Sequence, residues 1–308
     1  MEGSDIFFGT VMLTQISIGL SVNVFLLLFY INVVSASHKL SSSDLIIAHL
    51  ALANIILLLS GGIPETLSSW GMRNFLDEFG CKILMYLYRV ARSLAICTTC
   101  LLSVFQAITI SPGTWWAEVK AKLYKCIIPS CLLFWVFSLL MGKAALLYIT
   151  GPRNNSSVQV VFDLKYCSAI PMSAKLTLIN AVVISAWDVF FVGLMSLASG
   201  YMVFVLHRHH RQVRHLHGPG RSPKAMPEVR AAKRVVALVT LYVLLYGRQT
   251  ITFSILLNRR ETSPLLMSSH VLWAPTFSTV SPFLVIHGDQ RMRLFRKKEP
   301  LISNPDAS

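Results

Sequence analysis

The sequence predicts an all-α membrane protein: a seven-transmembrane helix bundle with the amino end extracellular and the carboxyl end cytosolic. Three observations predict it. The chain of 308 residues is 54% hydrophobic and only 14% charged, against roughly 25% charged in ordinary soluble domains. A soluble globule of this size has too little interior to hide that much apolar surface. Seven stretches are long and apolar enough to cross ~30 Å of hydrocarbon at 1.5 Å per residue. The basic residues between those stretches alternate in density from one side to the other.

The spans are placed at about 8–33, 44–66, 82–107, 127–149, 179–206, 235–257 and 268–287. The first holds no charged residue. The seventh is the weakest, with Pro275 and Pro282 inside it, and charge supports it. Lys and Arg resist translocation and collect in the cytosol. The segments 34–43, 108–126, 207–234 and 288–308 hold 1, 3, 8 and 5 basic residues, seventeen in all. The segments on the other side, 1–7, 67–81, 150–178 and 258–267, hold 0, 1, 3 and 2, six in all. Without the seventh span the Arg291–Lys298 cluster would move outside and the contrast would vanish. The chain therefore reads as one domain over 1–308, ending in a cytosolic tail, 288–308.

The net charge of +14 raises nucleic acid as a partner, and its placement argues against it. Most of it sits on the cytosolic segments, where a basic surface meets anionic membrane lipid. Residues 1–7 lack a basic run, so no cleavable signal peptide is expected and the first span serves as its own anchor.

Of six cysteines, Cys97, Cys100, Cys126 and Cys131 lie in or beside spans three and four, where cysteine behaves as a small buried hydrophobe. Only Cys81 and Cys167 fall on the oxidising side, so a disulfide between them is expected, pinning the outer loop across the bundle mouth. The same loop carries overlapping glycosylation sequons at Asn154 and Asn155. The cytosolic run from His207 to His217 is rich in histidine, but its arginines repel a divalent cation, so no metal site is expected and no cofactor motif is present. It reads as a solvated extension of span five, stopped by Gly218-Pro219-Gly220. A new helix starts at Pro227-Glu228, and Arg291–Lys298 suits a short helix on the inner leaflet.

An enzyme is disfavoured: the chain holds no Walker loop, no HExxH and no G-x-S-x-G. A multi-span transporter or channel is the rival class, but no internal repeat relates two halves of the chain. The disulfide at the top of span three and the long basic loop before span six suit a receptor better.

Several runs then carry a resemblance. Span three holds Ala91-Arg92-Ser93-Leu94 followed by Cys100-Leu101-Leu102-Ser103-Val104-Phe105-Gln106-Ala107-Ile108-Thr109-Ile110-Ser111-Pro112. Around it, in order, stand Asp44 to Asn54, Trp116-Ala117-Glu118, Phe162 to Ser168, Pro227 to Lys233, and Ser281-Pro282-Phe283-Leu284-Val285-Ile286. The whole series resembles the type 1 vomeronasal receptors. The resemblance implies a G-protein-coupled chemosensory receptor for pheromone-like small molecules, acting through an inhibitory-class heterotrimeric G protein at the plasma membrane. The wider rhodopsin-like group has an Asp/Glu-Arg-Tyr triplet where this chain has Phe105-Gln106-Ala107, and Asn-Pro where it has Ser281-Pro282. Both departures resemble the vomeronasal branch. Tyr246-Gly247-Arg248-Gln249 departs from the family pattern. Bitter-taste receptors are the runner-up family, and they lack the paired cysteines and the span-three run.

Helix arithmetic proposes a ligand site in the outer half of the bundle. Arg89 and Arg92 lie eight and eleven residues below Cys81, three apart and on one face. Lys143, Asp188 and Arg248 fall at similar depths in spans four, five and six. Charges so deep should face the interior. Four cations share that layer with one acid, and Arg92 is the expected partner of Asp188. Either Lys143 snorkels outward and Arg248 bonds carbonyls, leaving a neutral pocket, or the surplus selects an anionic amphiphile. Tyr86, Trp187 and His270 are candidate supporting contacts. On the cytosolic side, Gln106, Arg211, Arg214, Arg230, Lys233 and Arg234 are the residues expected to face the G protein.

Overall fold

The computed structural model describes residues 3–37, 41–151, 162–163, 166–169, 174–217, 227–258 and 271–288. In hydrocarbon every backbone donor must find its acceptor within its own segment, so long apolar runs become helices. Gly3–Ser37 forms α1. Ser42–Leu57 forms α2, which passes through one π turn, Leu58–Gly62, into the short α3, Ile63–Ser69, with Pro64 in its first turn. The second expected span is thus a helix in two pieces. The π turn falls on Gly61-Gly62, and the glycine is needed there: a Cβ on Gly61 would come within 2.8 Å of two ring carbons of Tyr88.

Glu78–Ile110 forms α4, opened by Asp77, whose carboxylate accepts from the Gly80 amide at 2.8 Å. It stops at Ser111, because the following Pro112 disfavours helical geometry in the residue before it. Gly113, at φ +117°, turns the chain into α5, Thr114–Tyr148. The expected cytosolic segment 108–126 is therefore mostly helix. Ala174–His217 forms α6, which continues through the histidine-rich run, and Pro227–Asn258 forms α7. Thr276–Gly288 forms α8, with Pro282 inside it. Three two-residue strands, β1 Ile149–Thr150, β2 Phe162–Asp163 and β3 Ser168–Ala169, form an antiparallel patch in the order β1-β3-β2, with Ile149 and Phe162 both opposite Ala169.

Among the described residues five helices are long and apolar enough to cross a membrane: Ile6–Val33, Ser42–Ser69, Glu78–Ile110, Trp116–Tyr148 and Leu178–His209. Helix α7 spans 32 residues, but its first two turns carry Glu228, Arg230, Lys233 and Arg234, and Val271–His287 is a shorter apolar helix. The chain is thus an all-helical, multi-pass membrane protein.

Helix α4 is the axis of the bundle. Its apolar stretch is 72% buried, against 28%, 24% and 22% for α1, α5 and α6, whose apolar side chains face outward. It packs on α2, α5, α6 and α7 through small buried residues, among them Ala91, Ala95, Cys97, Cys100, Ser103 and Ala107, which let helix backbones approach closely. A polar knot holds α8 in place. Asn54 Nδ2 donates to Asn23 Oδ1 at 3.1 Å and to Ser281 Oγ at 3.0 Å, while Asn23 Nδ2 donates to the Ser278 carbonyl at 2.8 Å. Buried amides in an apolar setting must be bonded, so these bonds fix α1, α2 and α8 against one another.

Candidate functional site

Met85, Tyr88, Arg89, Arg92 and Ser93 recur along α4 at the spacing of one helix face. That face meets Ile184, Trp187 and Asp188 of α6, Tyr246, Gln249 and Thr250 of α7, and Met141 of α5, and the four helices enclose a cavity of about 420 Å³. Its wall carries three charges. Arg92 Nη2 donates to Asp188 Oδ2 at 2.7 Å and Nη1 reaches Oδ1 at 3.5 Å. The Asp188 side chain is only 6% exposed and that of Arg92 33%. Arg89 is not part of this pair. Its Cζ lies 5.4 Å from the centre of the Tyr148 ring, and its buried Nη1 has no acceptor among the described residues. The indole of Trp187 stacks on Phe137 at 3.7 Å and leans on Phe191 at 4.4 Å, bridging α5 and α6.

A smaller chamber of about 50 Å³ adjoins the first and shares Tyr88, Arg92, Tyr246 and Gln249 with it. Its far side is mostly apolar, formed by Leu57, Ala95, Leu245, Ala274 and Phe277.

Of the expected ligand contacts, Arg89, Arg92, Trp187 and Asp188 line the main cavity. Tyr86 turns to α5, its hydroxyl donating to the Leu139 carbonyl at 3.2 Å. Lys143 lies on the exposed face of α5, away from the cavity. Arg248 also stands outside it, its guanidinium 4.5 Å from the centre of the Trp273 ring. Lys143 and Arg248 reach these places for the same reason: depth along a helix says nothing of angle around it. His270 lies outside the described residues, as do Asn154 and Asn155. Tyr88, Tyr246 and Gln249 are wall residues that sequence reasoning passed over. Tyr88 precedes Arg92 by four, and Tyr246 precedes Gln249 by three, so one-turn spacing was the available signal.

The Cys81 end of the bundle is capped. Cys81 is bonded to Cys167, with Cα atoms 5.7 Å apart. The neighbouring Tyr166 is 2% exposed, packs on Phe75 and donates from its hydroxyl to Glu65 Oε1 at 3.0 Å. Burial, and then the Glu65 carboxylate, push the Tyr166 phenol well above the ordinary tyrosine range, so it remains a donor. Glu65 stands one residue from the outer end of the second expected span, above the layer of Arg92 and Asp188.

At the opposite end a cleft of about 300 Å³ opens between α2, α4, α5, α7 and α8. Gln106 lines it, donating to Ser43 Oγ at 3.3 Å, and so does Arg234, which reaches the Val285 carbonyl at 3.5 Å. Ser111, at the end of α4, shares a hydrogen bond of 3.0 Å with the Tyr201 hydroxyl of α6. Arg211 and Lys233 are exposed and Arg230 is half-buried. Arg214 lies on α6, and its side chain is outside the described set. Among the described residues no group of His, Cys, Asp or Glu is arranged to hold a metal ion.

Residues 6–297 match the vomeronasal organ pheromone receptor family. The chain is 37% identical over 295 residues to vomeronasal type-1 receptor 3 of Homo sapiens, covering 95% of this chain and 94% of that one. It is 39% identical to human vomeronasal type-1 receptor 2, over 92% of this chain and 72% of that one. It is 35% identical to olfactory receptor class A-like protein 1 of Danio rerio, over 92% and 90%. This chain belongs to the vomeronasal organ pheromone receptor family, and it is a chemosensory G-protein-coupled receptor rather than an enzyme or a transporter.

Proposed function

We propose that the chain crosses the plasma membrane seven times with its Cys81 end outside, binds a small anionic amphiphile in the 420 Å³ cavity, and signals to an inhibitory-class G protein at the opposite cleft. The carrying observation is the charge on the cavity wall: Arg89 and Arg92 stand against Asp188 alone. With Arg92 taken up by Asp188, the Arg89 guanidinium keeps a buried donor without an acceptor among the described residues. A buried guanidinium N–H without an acceptor is costly even where the cation rests on the Tyr148 ring, and a ligand sulfate or carboxylate would complete it. Met85, Met141, Ile184 and Trp187 supply apolar wall for the rest of the molecule. The surplus is one charge rather than three, because Lys143 and Arg248 stand elsewhere. Sidedness rests on the seventeen basic residues of the segments 34–43, 108–126, 207–234 and 288–308, against six on the alternate segments. Asn154 and Asn155 are then extracellular sequons open to glycosylation.

The test is a matched pair: one steroid as its sulfate and as its parent alcohol, applied to surface-expressed receptor with G-protein activation as the readout. The sulfate should act at lower concentration by a factor of roughly ten or more, the worth of one charge-assisted contact. Equal potency of the two forms would overturn the anionic reading. Signal that survives inactivation of inhibitory-class Gα would overturn the coupling assignment.

A further inference from the structure

The 50 Å³ chamber is unassigned by any of the foregoing. It lies across a wall of four side chains from the cavity that holds Arg89, and three of the four, Tyr88, Tyr246 and Gln249, are uncharged and jointed at χ1. Its far lining is aliphatic or aromatic apart from Ser278, and it is small enough to take on the order of three or four non-hydrogen atoms. Tyr88 is the hinge of that wall. Its ring fits against the π turn only because position 61 has no side chain: a Cβ there would stand 2.8 Å from Cδ2 and Cε2. The π turn therefore makes room for Tyr88 between the two chambers.

The geometry points to a single forked ligand site, in which the small chamber takes the terminal apolar group of the ligand and Gly61, through Tyr88, sets how far that group can reach. This rests on the reading of the main cavity as the ligand site, and it adds a shape to it: an anionic group near Arg89, a body along Met85 and Trp187, and a slim apolar end between α2, α4 and α8. Gly61 touches no ligand. It is a positioning residue. The chamber also gives Ala95 and Ala274 a reason to be small, since either side chain, enlarged, would fill it.

Two homologous series separate the parts: n-alkyl sulfates from eight to sixteen carbons and the n-alkanols of the same lengths, applied to full-length receptor with surface expression measured in parallel. Ala274→Leu fills the chamber from the turn that leads into α8, and Gly61→Ala displaces Tyr88 from the π turn, so the two act from different elements. Each should move the most potent chain length down by about two carbons, and members longer than the new optimum should lose about fourfold in potency per methylene denied burial. Gly61→Ala combined with Tyr88→Val should restore the longer members. A uniform loss across all lengths, or an unmoved optimum in surface-expressed variants, overturns the fork. Alkanols that act as well as sulfates sink the anionic reading while the length shift still decides the fork. Silence of the wild-type receptor to both series sinks the two together.

Discussion

Arg92 and Asp188 meet at two points, 2.7 Å and 3.5 Å, across the contact of α4 and α6. Four residues up the same face of α4, the tyrosine that separates the two chambers rests on the π turn that follows α2. The central helix is thus tied to α6 by charge and to the second span by shape, within one turn of the cavity wall.

Breaking the pair from one side should cost more than removing both partners. Asp188→Ala leaves two guanidiniums and no acid in the cavity wall, and about 1–3 kcal/mol is expected, below the roughly 3–5 kcal/mol of a fully buried pair because a third of the Arg92 side chain is exposed. Thermal melting of detergent-purified receptor should show Arg92→Ala with Asp188→Ala milder than the sum of the single changes. Strict additivity would mean that the two side chains do not interact.

The two remaining arginines should differ in what they do for the ligand. Arg89→Ala should weaken an anionic agonist roughly 10- to 100-fold, one charge-assisted contact. Arg248→Ala should change potency by less than about threefold, because that guanidinium sits on Trp273 outside the cavity. Dose–response curves on the same steroid sulfate compare them, and the reverse order would reject the assignment.

These two residues also mark how far the sequence could be read. The spans, the capping cysteines and the depth of each intramembrane charge came from hydropathy, compartment and rise per residue, and the structure has Arg92 on Asp188 and Cys81 on Cys167. Angle around the helix was legible only within α4, where Arg89 and Arg92 share a face at known spacing. Between helices no such ruler exists, so Lys143 and Arg248 were grouped with the cavity by depth alone. Tyr88, Tyr246 and Gln249 were missed because an aromatic or amide at helical spacing looks like ordinary packing until a neighbouring helix supplies the second wall. Nothing in the hydropathy of Leu58–Gly62 distinguishes a π turn from an α turn, and the split of span two is visible only in its contact with Tyr88.

The cap should behave as one unit. Cys167→Ser opens a cross-link across 86 residues, for which the chain-entropy account gives about 4.6 kcal/mol. Surface expression should fall sharply, and peptide mapping of the wild-type receptor without reductant should recover the Cys81 and Cys167 peptides joined. Recovering both as free thiols would remove the cap.

Tyr166→Phe deletes the hydroxyl that meets Glu65 and should lower stability by about 1–2 kcal/mol. The sign of its pH dependence follows from the raised phenol. A folded tyrosine that holds its proton longer than a free one contributes fully below the free value near ~10, and the contribution is lost as pH rises beyond that. The melting difference between wild type and Tyr166→Phe should therefore be flat from about pH 7 to 9 and shrink above ~10. A difference that grew with alkalinity would contradict it.

At the opposite end, Arg234 and Lys233 are neighbours with different surroundings. Arg234 lines the 300 Å³ cleft beside the Val285 carbonyl, whereas Lys233 is exposed. Arg234→Glu should cut G-protein activation roughly tenfold or more, as loss of a partly buried interface charge does. Lys233→Glu should change it by less than about threefold. Reversal of Arg211, Arg214 and Arg230 belongs with the milder class. If all five reversals left signalling intact at normal surface density, the basic rim would be a topological signal only.

The π turn at Leu58–Gly62 has a consequence for how this helix tolerates length changes. A π turn is one residue more than an α-helix needs, so it is the place where a single residue can be deleted with the hydrogen-bond ladder closing behind it. Tightening it to α geometry with all its residues kept would swing everything beyond by ~100° about the axis. Glu65 would leave Tyr166, and the side chain arriving opposite Tyr88 would no longer be Gly61. One residue of slack in the second span thus keeps the cap and the floor of the ligand cavity in phase with each other. A variant shortened by one residue within the π turn would keep both ends of the site in phase, whereas one shortened in the α-helical part of the span would have to rebuild one of them.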